Sequence, residues 1–374
     1  MTNRLKKTPW GSSYSLSLSR GCQQCITGEK LVVLVTTDCS SKCFYCPLSL
    51  ERKSSRFSFA NERPIKNIED LTTEASNMEA RGASITGGDP IEHHSFSQTL
   101  EFCRILKRTY SNDFHIHLYT RGKEITPKIL SILTPYLDEI RFHVISIQKD
   151  LAQVKLTTQF DLDVGIEVPV IPTKGFNYYR DLITHFKDIL PEKDQFYFIN
   201  LNELEISETN YRNLIARGLK LDQQNPSAIK GSAILGEKIV VWASKSISLP
   251  VHFCSLATKD TVQLPNRIYR IAKNIKLSSD VIIPDGSDKG LLLRGVIQSP
   301  SMDLDELRLI LIDELDIEEE ILHVDRPKKR LLTNAALLNE LKDEIREIFP
   351  DAILGIAEEY PTYDNLQTTY IPLD

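Results

Sequence analysis

The sequence predicts an α/β fold, a partial (β/α)6 barrel with a small C-terminal α+β appendage. Three observations lead to this class. β-Rich runs alternate with helical patterns from residue 31 onward, there are six such units, and a compact alternation of strands and helices follows residue 280. Six units suit an open, partial barrel better than a closed barrel of eight.

The six β-rich runs are separated by helical stretches. The runs are LVVLVTT from residue 31, ASITGG from 83, FHIHLYTRG from 114, EIRFHVIS from 139, VGIEVPVIP from 164 and QFYFINLN from 195. The predicted helices lie near 67–81, 95–109, 126–137, 148–159 and 178–190, with a sixth from Ser207. Repeated units of this kind indicate parallel strands with outer helices, so functional residues should lie where the strands end.

After the barrel the pattern changes. Residues 228–247 predict a further helix, and Leu249 to Asp260 carries Cys254 in an extended or loop context. Asp303 is the predicted N-cap of the first appendage helix. The expected organisation is an N-terminal extension over 1–29, the barrel over 30–262, a helical linker over 263–279 and the α+β domain over 280–374.

The composition indicates a globular protein. Apolar residues make up 41% of the chain and charged residues 26%, and no apolar run reaches the roughly 20 residues of a membrane span. The first 25 residues contain no secretory signal pattern, so a cytoplasmic protein without membrane contact is expected. The net charge of -6 argues against a surface dominated by nucleic-acid binding, although a local basic groove for RNA is compatible with it.

Cysteines are concentrated near the N-terminus. Five of the seven lie within residues 22–46, an arrangement more typical of metal ligation than of disulfides. Cys103 is the exception, because its helical apolar pattern predicts a small thiol packed in the core. Cys39, Cys43 and Cys46 follow the first strand in CSSKCFYC, where three thiolates could hold three irons of a cubane and leave the fourth iron open. A zinc site or unliganded thiols are the alternatives.

The CxxxCxxC loop, with the aromatic Tyr45 before the third cysteine, resembles the signature of the radical S-adenosylmethionine superfamily. The GGDP sequence after the second strand is similar to that superfamily's GGEP-like segment, which holds the methionine amino group through backbone atoms, with Asp in place of Glu. YTRG at 119–122 is similar to its TNG sequence, with Arg in place of Asn. The candidate cofactor-binding residues from these segments are Tyr45, Gly87, Gly88, Asp89, Pro90, Thr120 and Arg121.

Later strand ends add polar candidates. His143 and Ser146 could face the ribose or carboxylate of the cofactor, and Glu167 and Asn202 lie in otherwise apolar runs. A carboxylate in a buried strand needs a partner, so an internal pair with Arg or Lys is the alternative for Glu167. Glu203 has the same two interpretations.

The resemblance covers about residues 30–205 and implies a [4Fe-4S] cluster and S-adenosylmethionine as cofactors. It further implies an electron donor of the ferredoxin or flavodoxin type, and a 5′-deoxyadenosyl radical that abstracts hydrogen from an unspecified substrate. More narrowly, nearly the whole chain resembles archaeal proteins related to pyruvate formate-lyase activating enzyme. That likeness rests on GCQQC at 21–25, CFYCPLS at 43–49, ITGGDP at 85–90, INLNELE at 199–205 and HFCS at 252–255.

A second metal site is predicted from cysteines outside the signature. Cys22 and Cys25 form a CxxC pair before the first strand, and Cys254 follows the sixth β-α unit two residues after His252. These four residues could form a Cys₃His zinc site, and the three cysteines could instead bind an auxiliary iron-sulfur cluster. A redox CxxC or unliganded thiols are the remaining alternatives.

Three functional hypotheses follow. The first is radical chemistry on an RNA base or a protein residue, with the appendage as a recognition module. The second is a non-catalytic iron-sulfur or zinc protein, which the GGDP and YTRG sequences disfavour. The third is an activase that installs a glycyl radical on a partner enzyme. His93, His94 and the basic run 328–330 receive no role.

Overall fold

The computed structural model describes residues 4–374. The chain divides into two compact units: the first contains the described residues up to Ser76 together with 80–263, and the second contains 77–79 together with 264–374. Within the described chain, no helix combines the length and the apolar character needed to cross a membrane.

The first unit is a mixed α/β fold built on a sheet of eleven strands, in the order β1-β2-β11-β10-β9-β8-β7-β6-β3-β4-β5. Seven of these strands form a continuous parallel series, in the order β11-β10-β9-β8-β7-β6-β3. The strands are β1 Leu5–Lys7, β2 Ser13–Ser15, β3 Lys30–Thr36, β4 Ser58–Ala60, β5 Arg63–Ile65, β6 Gly82–Gly87, β7 His115–Thr120, β8 Glu139–Phe142, β9 Asp163–Val170, β10 Tyr197–Glu203 and β11 Val251–Cys254.

Helices connect these strands. They are α1 Arg20–Ile26, α2 Leu50–Ser54, α3 Ile68–Asn77, α4 His93–Tyr110, α5 Pro127–Leu133, α6 Ile147–Thr157, α7 Gly175–Ile189, α8 Tyr211–Ile215, α9 Ser232–Ser246 and α10 Leu256–Thr258. The six predicted strands and their helices are present. The parallel series has a seventh member, however, because the short segment around Cys254 is β11, which pairs with β10 with Cys254 opposite Asn202. Four residues are too few to give a clear strand periodicity in sequence.

The parallel strands carry a polar face that is nevertheless buried. Side chains alternate along a strand, so His115, His117 and Tyr119 share one face of β7, while Ile116 and Leu118 are buried on the other. Helix α1 lies against the polar face, because a Cβ added at Gly21 would lie 2.4 Å from His117 Nδ1. The interior of this unit therefore contains charged and polar groups that must find partners within the protein.

The second unit is an antiparallel sheet with helices. Its sheet order is β14-β15-β13-β16-β17, with β12 beside β13. Asp303 is the N-cap of the helix Leu304–Leu315, the first helix after residue 280, as predicted. Its side chain accepts from Asp305 N. The predicted linker helix clusters with this unit. The elements are α11 Leu264–Ile275, β12 Val281–Ile282, β13 Leu292–Gln298, α12 Leu304–Leu315, β14 His323–Asp325, β15 Arg330–Thr333, α13 Ala335–Ile348, β16 Ile353–Glu359 and β17 Gln367–Pro372.

Candidate cofactor site

The three cysteines of the CxxxCxxC motif lie on the loop that follows β3. Cys39, Cys43 and Cys46 are free thiols and are partly exposed. The Cys46 N–H donates to the Cys43 carbonyl at 3.2 Å, and the Ser41 N–H donates to Cys39 Sγ at 3.3 Å. A single loop thus presents three thiols that are not in disulfides at the carboxyl end of the parallel sheet, enough to ligate three of the four irons of a cubane.

Side chains from distant segments hold this loop in place. The Glu92 carboxylate accepts from Ser40 N at 3.1 Å, at the start of α4. On the other side, Thr209 Oγ1 donates to Leu48 O at 2.8 Å and Asn210 Nδ2 donates to Tyr45 O at 3.2 Å. Two aromatic side chains of the loop, Phe44 and Tyr45, pack on a buried cluster formed by Ile171, Leu204, Leu214, Leu219 and Ile229.

The paired glycines of GGDP lie directly against the start of the cysteine loop. The Gly88 N–H donates to Thr36 O at 2.7 Å. A Cβ at Gly88 would lie 1.7 Å from Asp38 O, and one at Gly87, whose φ is 138°, would lie 2.3 Å from Thr36 O. Glycine is therefore required here by the close approach of two backbone segments.

Asp89 joins the ends of β6 and β7. It is 1% exposed, and its carboxylate accepts from Thr120 Oγ1 at 2.8 Å, from Arg121 N at 2.9 Å and from Ile91 N at 3.3 Å. Burial raises the pKa of Asp89, and these hydrogen bonds oppose the increase. The side chains of Asp89 and Thr120 are thus used within the protein. The carbonyl of Pro90 is also used within the protein, because it accepts from Thr99 Oγ1 at 2.6 Å.

Arg121 and His143 lie beside the cysteine loop. Arg121 pairs with Asp150 at 3.1 Å, and its charge partly offsets the increase in the pKa of Cys43 that burial causes. The Tyr45 hydroxyl and His143 Nε2 share a hydrogen bond of 2.8 Å. Burial, assisted by the Arg121 charge, lowers the pKa of His143 to about 4. Ser146 is the N-cap of α6, and its backbone N–H donates to Asp150 at 3.0 Å.

Glu167 contacts both Asn202 and a buried arginine. Glu167 accepts from Asn202 Nδ2 at 2.7 Å and from Arg141 Nη1 at 2.6 Å. Burial opposes ionisation of Glu167, but the Arg141 charge and the amide hydrogen bonds outweigh it and leave its pKa below the ordinary value. Glu203 is likewise satisfied internally, since it accepts from Leu256 N at 2.8 Å.

Arg141 was not identified from the sequence, although it organises the buried polar face. It is 1% exposed and donates to the Glu139 carboxylate, to Tyr119 Oη at 3.1 Å and to Ser19 Oγ at 3.0 Å, in addition to Glu167. The available signal was the period of two in EIRFH, which predicts Glu139 and Arg141 on one face of β8, with His143 following the strand.

One group of described residues brings three metal-type ligand atoms within 4.8 Å of one another: His115, His117 and Glu139. Two cations already lie beside it. Lys30 Nζ is 2.7 Å from His115 Nδ1, and Arg141 pairs with Glu139. Burial and the charges of Lys30 and Arg141 lower the pKa of His115 to about 2. This positive surrounding disfavours binding of a further cation.

The buried, neutral His115 should make the fold sensitive to acid. Its pKa of about 2 lies below the value of about 6.5 in an unfolded chain. Between about pH 6.5 and about pH 2, His115 is therefore protonated in the unfolded state and neutral in the folded state. Stability is fully present above about pH 6.5 and falls by about 1.4 kcal/mol per pH unit as the pH decreases. We expect His115→Gln to reduce the slope of the unfolding free energy against pH by about this amount between about pH 6 and pH 4, measured by urea unfolding.

A control for this prediction is Leu118→Val on the opposite face of β7, which should lower stability by a similar amount at each pH because it removes only apolar volume. A His115→Gln variant with the wild-type slope would contradict the assignment of His115 as a buried neutral group.

The remaining predicted ligands lie elsewhere in the first unit. Cys22 and Cys25 are on α1, and Cys254 ends β11. Burial, followed by the charge of Cys22, raises the pKa of Cys25 to about 12, and Cys254 contributes in the same direction. Among described residues, these cysteines and His252 do not provide three ligand atoms within 4.8 Å of one another, as binding of a single ion would require. His252 is 7% exposed, and its Nδ1 has no hydrogen-bond partner in residues 4–374.

Comparison with known proteins gives matches along the chain. The family described as "4Fe-4S single cluster domain" matches residues 26–146, and a "Domain of unknown function (DUF8061)" matches residues 290–373. Over 370 residues the chain is 35% identical to a protein of Methanocaldococcus jannaschii described as "Putative glycyl-radical enzyme activating enzyme", covering 95% of this chain and 93% of that relative. A solved structure of the radical S-adenosylmethionine methyltransferase TsrM from Kitasatospora setae is similar over 52% of this chain and 40% of that chain, with 9% identity and a TM-score of 0.36.

The full-length relative and the 4Fe-4S match over the cysteine loop confirm the resemblance identified from the sequence. The protein is an enzyme whose cofactors are a [4Fe-4S] cluster and S-adenosylmethionine, and its reaction requires a substrate and a reductant. The chain belongs to the radical S-adenosylmethionine superfamily.

Proposed function

We propose that Cys39, Cys43 and Cys46 hold the [4Fe-4S] cluster and that the enzyme uses it to cleave S-adenosylmethionine for hydrogen abstraction from a substrate. The observation that carries this proposal is the set of three free, partly exposed thiols on one loop at the carboxyl end of β3. Three cysteine ligands leave one iron of a cubane open for the cofactor. The cluster supplies the electron for cleavage, which yields the 5′-deoxyadenosyl radical.

The protein's own contribution is to hold the cysteine loop in position. Glu92 holds the N-terminal half of the loop through Ser40, while Thr209 and Asn210 hold the C-terminal half. We infer that the GGDP backbone binds the ammonium group of the cofactor, because the Asp89 carboxylate is occupied by the end of β7. Arg121, beside Cys43, supplies positive charge next to an anionic cluster and is a candidate partner for the cofactor carboxylate.

We further propose that the sheet curves into a partial barrel whose buried polar face is the inner one. This proposal is supported by the polar residues that consecutive parallel strands place on that face: His117 on β7, Arg141 on β8, Glu167 on β9 and Asn202 on β10. On this account Glu167 and Asn202 lie below the cofactor and position it, together with the Tyr45–His143 pair, at the strand ends. Ser146 is a candidate contact from the start of α6.

The electron donor is proposed to be a ferredoxin- or flavodoxin-type protein, because the cluster must be reduced at low potential. For the substrate, a glycyl-radical enzyme to be activated is one candidate, and the description of the Methanocaldococcus relative is consistent with it. A macromolecular substrate of another kind, an RNA base or a protein residue recognised by the second unit, is the other candidate. Label transfer from deuterated candidates into 5′-deoxyadenosine distinguishes them, because only the substrate that loses hydrogen gives labelled nucleoside.

Gly88 offers a test of how the two backbone segments support the site. In Gly88→Ala, the new Cβ would meet Asp38 O at 1.7 Å, so the beginning of the cysteine loop must shift. We expect Gly88→Ala to lose most of the iron of the Cys39/Cys43/Cys46 cluster after anaerobic reconstitution, while the overall secondary structure is kept.

The matched control is Gly286→Ala in the second unit, where the space around the Cβ is open and only the left-handed backbone is strained. It should retain the wild-type iron content. A Gly88→Ala protein that binds a full complement of iron would show that the cysteine loop tolerates displacement of residue 38.

A further inference from the structure

Three cysteines outside the proposed cluster loop share one part of the first unit. Cys22 is 6% exposed and Cys254 is 5% exposed, and Cys25 follows on the next turn of α1. Helix α1 packs on β3, β6 and β7 and also on the helical turn Lys259–Gln263, which follows β11. Gln263 Nε2 in that turn lies 3.5 Å from Cys254 Sγ. The fold therefore brings the N-terminal CxxC pair and the distant Cys254 into one buried region.

The spacing of these thiols does not suit a single ion. Zinc holds its sulfur ligands at about 2.3 Å, so sulfur atoms around one zinc lie roughly 4 Å apart. In the described chain these cysteines and His252 form no set of three ligand atoms within 4.8 Å of one another, although the packing of α1 on the turn after β11 brings them into one region. In a cubane each thiolate binds a different iron, which spaces the sulfur atoms more widely than one ion does. The lack of a close set of three ligand atoms argues against a single zinc ion and agrees with the wider spacing of a cluster.

Buried positive charge lies beside the same thiols. Arg141 Nη2 donates to Ser19 Oγ, which caps α1 and accepts from the N–H of Cys22 at 3.3 Å. The first turn of α1 is pressed on this arginine, because a Cβ at Gly21 would lie 2.5 Å from Arg141 Nη2. Lys30 is also buried beside α1, because a Cβ at Gly82 would lie 2.4 Å from Gln24 Oε1 and 2.7 Å from Lys30 Nζ. A thiolate-bound cluster is anionic, and its burial requires nearby cations; Arg141 is shared here with the carboxylates of Glu139 and Glu167.

His252 provides a candidate for the remaining iron. It precedes Cys254 by two residues on β11, so both side chains lie on the same face of the sheet. Its Nδ1 is buried and lacks a hydrogen-bond partner among the described residues. An imidazole nitrogen with a free lone pair can replace a cysteine as an iron ligand.

We propose that Cys22, Cys25 and Cys254 bind an auxiliary iron-sulfur cluster of the cubane type, with His252 as the ligand of the fourth iron. This second cluster is separate from the one on the loop after β3, and the proposal stands or falls independently of the ligands assigned to that loop.

Metal counting tests the proposal on the complete protein. The wild type, the triple variant Cys39→Ala/Cys43→Ala/Cys46→Ala and the triple variant Cys22→Ala/Cys25→Ala/Cys254→Ala are purified without oxygen and reconstituted with iron and sulfide. Iron, acid-labile sulfide and zinc are then measured per chain. We expect about eight irons in the wild type and about four in each triple variant, without stoichiometric zinc. Cys103→Ala, a buried thiol on α4, is the matched control and should keep about eight irons.

Two results would overturn the proposal: a wild type with about four irons and one zinc, or a Cys22/Cys25/Cys254 variant with the wild-type iron content. If that variant does not fold, the other triple variant decides alone, because it leaves the buried cysteines intact. About four irons with acid-labile sulfide in the Cys39/Cys43/Cys46 variant would support the auxiliary cluster. An iron-free Cys39/Cys43/Cys46 variant would overturn the proposal. Unchanged iron in the Cys39/Cys43/Cys46 variant would instead contradict the proposed function. Electron paramagnetic resonance of His252→Ala tests the fourth ligand, because an unchanged cluster signal would exclude it.

Discussion

Replacement of Cys39, Cys43 or Cys46 by alanine is expected to reduce cleavage of S-adenosylmethionine to below detection. Each substitution removes one of three thiolates from the proposed cluster, and two thiolates from a partly exposed loop would not retain a cubane with one open iron. The measurement is reductant-dependent formation of 5′-deoxyadenosine by the anaerobically reconstituted variant, together with the iron content.

The matched control for these variants is Cys103→Ala. Cys103 is fully buried in α4 and belongs to the apolar core, so its replacement should lower stability slightly and leave cleavage at the wild-type level. The secondary structure of all four proteins should be retained, since the loop is held by Glu92, Thr209 and Asn210 as well as by the cluster. A cysteine-loop variant that still produces deoxyadenosine would exclude that residue as a ligand.

The second large effect is expected at Arg141. Replacement by leucine would leave the carboxylates of Glu139 and Glu167 buried without their cationic partner. Removal of one member of a buried ion pair typically costs about 3–5 kcal/mol, so we expect the free energy of unfolding of Arg141→Leu to fall by about that amount. Urea unfolding of the cluster-free protein at neutral pH measures it.

Arg180 provides the comparison for Arg141. It pairs with Asp181 on the surface, where both side chains are about half exposed, and Arg180→Leu should therefore change the unfolding free energy by less than about 1 kcal/mol. A loss at Arg141 as small as that at Arg180 would show that water or a rearranged side chain satisfies Glu139 and Glu167, and that Arg141 does not organise the polar face.

Most of the parallel strands could be predicted from the sequence, because their apolar runs are long and are separated by clear helical patterns. It was insufficient for short elements. β11 and β15 have four residues each, and the exposed strand β17 has little apolar content, so neither length nor periodicity distinguishes them from loops. The propensity of four residues is easily outweighed by tertiary pairing, which decides these strands.

The motif segments were recognisable, but the partners of their side chains were not. The GGDP segment was expected to hold the cofactor through its backbone, but the sequence did not indicate that the Asp89 carboxylate joins the end of β7 through Thr120 and Arg121. For Glu167 an internal cation was the stated alternative, and the structure identifies it as Arg141. Such pairs depend on which strands are neighbours in the sheet, which sequence periodicity alone does not specify. The approach of α1 to the buried polar face also depends on long-range packing.

The most direct test of the central claim is to incubate the reconstituted protein, with its cluster reduced and S-adenosylmethionine in excess, and to measure 5′-deoxyadenosine. We expect formation of the nucleoside that depends on reductant and is absent in the Cys39/Cys43/Cys46 variant. A protein that contains its full iron complement in reduced form and binds S-adenosylmethionine, yet produces no deoxyadenosine with or without candidate substrates, would contradict it.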